Sequence, residues 1–237
     1  MRKLITLTLA ACLITAAIKA QTPEEYYKKG LVLFNTKNYT EAFAEFVKAT
    51  DAKPDYTDAW FFRGLSKFML KDTSAYSDFT KVIALKPDHY KAYSYRGMLK
   101  FRQSDYAAAI TELDKSIEIN PNYVEAYFYR GDSKMEMQDF DGAIKDLDKA
   151  ISMRQDYAAA YYLKGLTEFG KKDYPAAIAD LNKTISLNKA DYMAGAYYFL
   201  GLCESETGMK DAACKDLKKA QDLGYKNAAA AISKYCQ

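Results

Sequence analysis

YRGDSKMEMQDFDGAIKDLDKA, residues 129–150, holds an Arg-Gly pair and a run of acids, but neither histidine nor cysteine. It could be a site that does chemistry or one brick of something that recurs. Its glycine decides: Gly131 belongs to a series with Gly30, Gly64, Gly97, Gly165 and Gly201, spaced by 33 to 36 residues. Four residues before each glycine stands an aromatic: Tyr26, Trp60, Tyr93, Tyr127, Tyr161 and Tyr197. Roughly twelve residues after each stands an alanine (Ala42, Ala75, Ala109, Ala143, Ala177, Ala213). Four further on comes a bulky apolar residue: Phe46, Phe79, Leu113, Leu147, Leu181 and Leu217. That last interval is helical spacing, so each brick is a pair of helices.

Between the paired helices sit Lys37-Asn38-Tyr39, Ser104-Asp105-Tyr106, Gln138-Asp139-Phe140 and Lys172-Asp173-Tyr174. Asn or Asp there starts a turn and caps the next helix, and the aromatic wedges the pair together. Pro54, Pro87 and Pro121 stop second helices and set the angle to the next brick. Small glycine facing small alanine lets two backbones approach closely, which makes the Arg-Gly pair a packing position.

Aromatic, glycine, alanine, bulky apolar residue and proline at this period resemble the tetratricopeptide repeat. The resemblance covers about residues 23–224 and implies an all-α, right-handed solenoid of six helix hairpins, over about 23–56, 57–89, 90–123, 124–157, 158–193 and 194–224. Departures are visible. Gln155 and Lys189 stand where proline would fall, the second unit is one residue short in its internal turn, and the fifth junction carries two extra residues near Ala190-Asp191. After Leu223-Gly224-Tyr225, residues 226–236 read as a capping helix over the apolar end of the stack. Antiparallel geometry allows a disulfide between Cys214 and Cys236 about Tyr225 or between Cys203 and Cys214 about Gly208. Because Ala213 faces its own first helix, Cys214 turns toward the cap and the pair Cys214 with Cys236 is favoured, with three reduced thiols as the other alternative.

The beginning of the chain is of another kind. Arg2 and Lys3 precede an uncharged run from Leu4 to Ile18, followed by Lys19-Ala20. This is a signal-peptide pattern over 1–20, with 21–237 as the repeat domain. Export to the periplasm or beyond is the expectation; a lipid anchor through Cys12 is the alternative. The formal net charge of +3 is carried by Arg2, Lys3 and Lys19. A chain cleaved after Ala20 is formally neutral, and no bulk field draws it to nucleic acid or to anionic lipid.

Nothing points to catalysis. His89 is the only histidine, in a loop, and no nucleophile triad, phosphate loop or compact cysteine spacing appears. No enzyme activity, cofactor or metal is expected. Acids recur in register (Glu45, Asp78, Glu112, Asp146, Asp180, Asp216), each three residues before a lysine, and the residue before the glycine is basic in the first five units. Both patterns are those of structural ion pairs. The aromatics say more: 21 tyrosines against 12 phenylalanines are rings whose hydroxyl prefers a partly wet surface. The family resemblance implies that positions three before and one after each glycine face a concave groove. Those are Tyr27, Phe61, Ser94, Phe128, Tyr162 and Tyr198, then Leu31, Leu65, Met98, Asp132, Leu166 and Leu202. The expected function is a scaffold that binds a segment of another protein in this groove. Carbohydrate binding by the same rings is the alternative, and self-association is a further possibility.

Overall fold

The computed structural model describes residues 21–236, and every regular element among them is a helix. Six pairs follow one another: α1 (Pro23–Asn35) and α2 (Tyr39–Ala52), α3 (Thr57–Met69) and α4 (Ala75–Leu85), α5 (Tyr90–Arg102) and α6 (Tyr106–Ile119), α7 (Val124–Glu136) and α8 (Phe140–Met153), α9 (Ala158–Lys171) and α10 (Tyr174–Ser186), α11 (Ala190–Glu206) and α12 (Lys210–Asp222); α13 (Ala228–Tyr235) closes the series. Each helix packs on its predecessor and its successor, which is the expected solenoid of six hairpins with a terminal helix. First helices also touch across the joints, α1 with α3, α5 with α7, α7 with α9 and α9 with α11, while no two second helices of neighbouring units make a comparable contact. First helices therefore line the inner side of the curve. The expected signal peptide, with Cys12, and the last residue, Gln237, lie outside the described residues.

The register of glycine, alanine and bulky residue is the core. The alanines Ala42, Ala75, Ala109, Ala143, Ala177 and Ala213 are fully buried, as are Phe46, Phe79, Leu113, Leu147, Leu181 and Leu217. A Cβ on Gly30, Gly97, Gly165 or Gly201 would stand 2.5–2.8 Å from Phe46, Leu113, Leu181 or Leu217, closer than carbon atoms can approach. Two residues after each later glycine, Ser66, Leu99, Ser133, Thr167 and Cys203 are buried in the joints. Ser66, Ser133 and Thr167 satisfy their hydroxyls on the carbonyls four residues back, at 2.8–2.9 Å.

The turns work largely as their residues suggest. Asp105, Asp139 and Asp173 accept from the amides of Ala108, Gly142 and Ala176, but Asn38 makes no such bond. The wedging rings pair as Phe34 with Tyr39, Phe101 with Tyr106 and Phe169 with Tyr174. The short second unit takes its missing residue out of α4, which begins at Ala75 itself after a turn tied by Asp72 and Ser74. The long fifth junction adds a turn to the start of α11, making it 17 residues. His89 caps α5 through Nδ1, which accepts from the Ala92 amide at 3.1 Å, and burial pushes its pKa down. Cys214 and Cys236 are bonded and fasten α13 to α12, while Cys203 is buried with its thiol pKa pushed up to about 12, chiefly by burial.

The acids pair across the hairpin. Lys29 meets Glu45 at 2.8 Å, Arg63 meets Asp78 and Arg96 meets Glu112 at 2.5 Å, Arg130 meets Asp146 at 2.5 Å, and Lys164 meets Asp180 at 3.1 Å. Of the i,i+3 pairs expected between those acids and the following lysines, Glu45 with Lys48 forms, at 2.9 Å, whereas Lys115 turns to Glu118. The sixth unit has Leu200 in place of the base.

Candidate functional site

The structure divides the residues expected in the groove. Phe61, Leu65 and Met98 are only 7%, 8% and 5% exposed and share one core cluster with Phe79 and Leu99; Ser94 is fully buried. For these the expectation of a contact surface is corrected. The joints are close enough that each ring three residues before a glycine leans on an aromatic at or near the start of the helix that follows its hairpin. Tyr27 packs on Tyr56 at 5.0 Å, Phe61 on His89 at 4.7 Å, Phe128 on Tyr157 at 5.1 Å, Tyr162 on Tyr192 at 5.5 Å and Tyr198 on Tyr225 at 4.4 Å. Where Ser94 supplies no ring, Tyr123 meets Tyr90 instead, at 5.0 Å. Such pairs contribute roughly 0.5–1.5 kcal/mol each beyond area burial, so the rings hold units together. Tyr27, Leu31, Phe128, Asp132, Tyr162, Leu166, Tyr198 and Leu202 remain half-buried.

The geometry also gathers residues that the glycine register did not single out. Tyr95 and Tyr129, two residues before Gly97 and Gly131, come together with Tyr123 and Tyr157, which introduce α7 and α9. The phenol pKa of each is raised, first by burial and then by neighbours that include Glu125; Tyr129 acts on the other three and Tyr95 acts on Tyr123. Tyr192 and Asp132 act on Tyr129 as well. Glu125 is itself balanced by Arg154 at 2.6 Å. No hydrogen bond among the described residues engages these four hydroxyls, so half-buried rings from units three and four present free donors and acceptors around one neutralised ion pair. The signal lay in the register of the residue before the first helices of units two to five: Tyr56, His89, Tyr123 and Tyr157.

A second feature lies at the carboxy-terminal end of the same face. Tyr198 and Leu202 on α11, with Ala230, Ala231, Lys234 and Tyr235 on α13, border an open cleft of ≈ 370 Å³. Clefts beside Tyr93, Tyr127 and Tyr197 recur at one place in units three, four and six, against the second helix, and belong to the architecture. Among the described residues, no group of His, Cys, Asp and Glu gathers for a metal ion, and no helix is long and apolar enough to cross a membrane.

Comparison with known proteins bears on the whole stack. Family models described as tetratricopeptide repeat match residues 128–191, and residues 26–56 with 194–231; one described as TPR repeat matches residues 97–138. Together they span more than half of the chain. The stretch 57–96, which contains the shortened second unit, lies outside these matches. No curated protein sequence matches the chain. Among solved structures, MamA is 28% identical, over 70% of this chain and 96% of its own, with a TM-score of 0.63. PilF of Pseudomonas aeruginosa superposes with a TM-score of 0.77 at 14% identity, over 90% of this chain and 97% of its own. A chain of the APC/C hetero-tetramer Cut9–Hcn1 gives a TM-score of 0.76 at 18% identity over 91% of this chain, which spans 43% of that longer protein. At these identities the last two are likenesses of fold.

Proposed function

Because the chain belongs to the tetratricopeptide repeat family, we propose that it is a non-enzymatic scaffold whose inner face, in units three to six, holds a segment of another protein. The observation that carries this reading is the convergence of the Tyr95, Tyr123, Tyr129 and Tyr157 hydroxyls, unengaged, beside half-exposed Leu166 and Leu202. Apolar walls with a few convergent polar groups suit a peptide, whose backbone supplies donors and acceptors while its side chains bury apolar area. Rigid tyrosines lose little entropy on contact. Sugar binding, the alternative, needs open ring faces, and Tyr198 already stacks on Tyr225 at 24° while Phe61 is buried. The bonded Cys214 and Cys236 support export to an oxidising compartment.

The test is a photo-crosslinking amino acid placed in the full chain in its host, at Leu166 on the inner face or at exposed Lys145 on α8. A protein adduct from Leu166 alone, reduced about fivefold when Tyr129 and Tyr157 become phenylalanine, is the expected result. Equal adducts from both positions would overturn the reading.

A further inference from the structure

Resting on that docking reading, we infer that the bound segment carries a lysine or arginine and that Asp132 receives it. One residue after each glycine stand Leu31, Leu65, Met98, Leu166 and Leu202, and Asp132 is the single charge in the row. It is half-buried on α7, which lies between α5 and α9. The cations of these three helices are engaged elsewhere. Arg96 binds Glu112, Lys100 binds Asp105, Arg130 and Lys134 bind Asp146, Lys164 binds Asp148 and Asp180, and Lys171 binds Asp141. The other two lie over rings: Lys91 over Tyr90, and Arg102 over Phe68, whose carbonyl it also bonds. Among the described residues, no cation lies within ion-pair distance of Asp132. Burial and the charge of Glu136, one turn on, push its pKa up to about 7.

A half-buried carboxylate without a counter-charge is costly unless a cation reaches it. A metal ion would need a set of ligands that the described residues do not gather. An ammonium or guanidinium on an apolar stem fits better. The stem would lie along the apolar row, and the charged head would meet Asp132 and Glu136 beside the Tyr129 hydroxyl, which the Asp132 charge already influences. Charge-assisted hydrogen bonds of this kind, in a partly desolvated face, fix the register of an extended segment.

The experiment selects binders from a random dodecapeptide library on the full chain, purified as its host processes it, and on Asp132→Asn. The strongest binder and its norleucine-for-lysine version are then titrated against both proteins, with circular dichroism confirming equal folding. The expected result is basic residues enriched among binders of the wild type only. A roughly tenfold or greater loss with norleucine should also appear on the wild type and vanish on Asp132→Asn. In parallel, the Asp132 carboxyl carbon should titrate near 7 in the free protein and well below that with the peptide bound. Binders without basic preference, or discrimination that persists in Asp132→Asn, would overturn this inference and leave the docking surface standing. If no peptide binds, the docking reading falls and this inference with it.

Discussion

The fourth and sixth units share one backbone plan and carry opposite electrostatics. In the fourth, Arg130 bridges Asp146 of its own hairpin and Asp114 of the preceding one, at 2.5 and 2.6 Å, and Lys134 adds a second cation to Asp146 at 2.7 Å. In the sixth, buried Leu200 replaces the base, and Glu204 stands where the fourth unit has Lys134. Glu204 and Asp216 then face one another as a pair of acids. Burial, and for Glu204 the charge of Asp216, pushes both carboxyls up, Glu204 to about 7. Lys215 opposes both shifts without cancelling them. The fifth unit stands between, with Lys164 bridging Asp148 and Asp180 while burial and Asp180 raise Glu168 to about 8. Identical packing thus accommodates either an ion pair or an acid pair at one position, and the choice sets how each end of the stack answers pH.

The sharpest way to break the comparison is Arg130→Met. It strands Asp146, which is 3% exposed, and should cost about 3 kcal/mol in urea unfolding at pH 7. A loss under 1 kcal/mol would mean that Lys134 alone neutralises the site. Replacing Cys214 and Cys236 with serine releases the helix that covers the sixth unit. A loop of this length should cost about 3 kcal/mol at the carboxy-terminal end, seen as faster hydrogen exchange in α12 and α13 with α1 to α6 unchanged.

The acid pair makes a prediction of sign. A carboxyl raised in the folded state contributes its stability fully below the ordinary value of 4.5 and loses it as pH rises through about 7. Exchange protection of α12 should therefore fall by about 1–2 kcal/mol between pH 6 and 8, and Glu204→Gln should flatten the slope. Glu45 runs the other way: burial pulls it up, but the hydrogen bonds of Lys29 and Lys48 win and hold it down, so the first unit loses stability only as the medium turns acidic. Glu204→Lys, which imports the lysine of the fourth unit, should raise stability at pH 8 by about 1 kcal/mol. A smaller contrast lies in the turns. Gln138 sits at φ 62° where the sixth unit has Gly208 at φ 81°. Gln138→Gly should gain about 0.5 kcal/mol and Gly208→Gln should lose at least as much, read as opposite shifts in melting temperature.

Most of the fold was legible because its core is written as intervals. A glycine, an alanine and a bulky residue at fixed spacing leave one way for two helices to meet, and that holds for Gly131, Ala143 and Leu147 as for Gly30, Ala42 and Phe46. The inner face was less legible because it depends on how closely units stack, which no interval records. Phe61 and Phe128 occupy equivalent positions, yet one is core and the other half-exposed, because the neighbouring joints differ. Left-handed turns at Lys37, Ser104, Gln138 and Lys172 carried no glycine to announce them. Asp132 was visible as a member of its row, but that its neighbours' cations are all engaged elsewhere is a fact of three dimensions.

The contact between each glycine and the bulky residue opposite also shapes how such a chain can change over generations. A methyl added at Gly97 collides with Leu113, and trimming Leu113 first leaves a cavity costing about 2–5 kcal/mol. Either single step is destabilising. In a stack where each unit touches only its neighbours, the damage from one such step stays within adjoining units. Distant units are then free to drift in their surfaces while this pair persists.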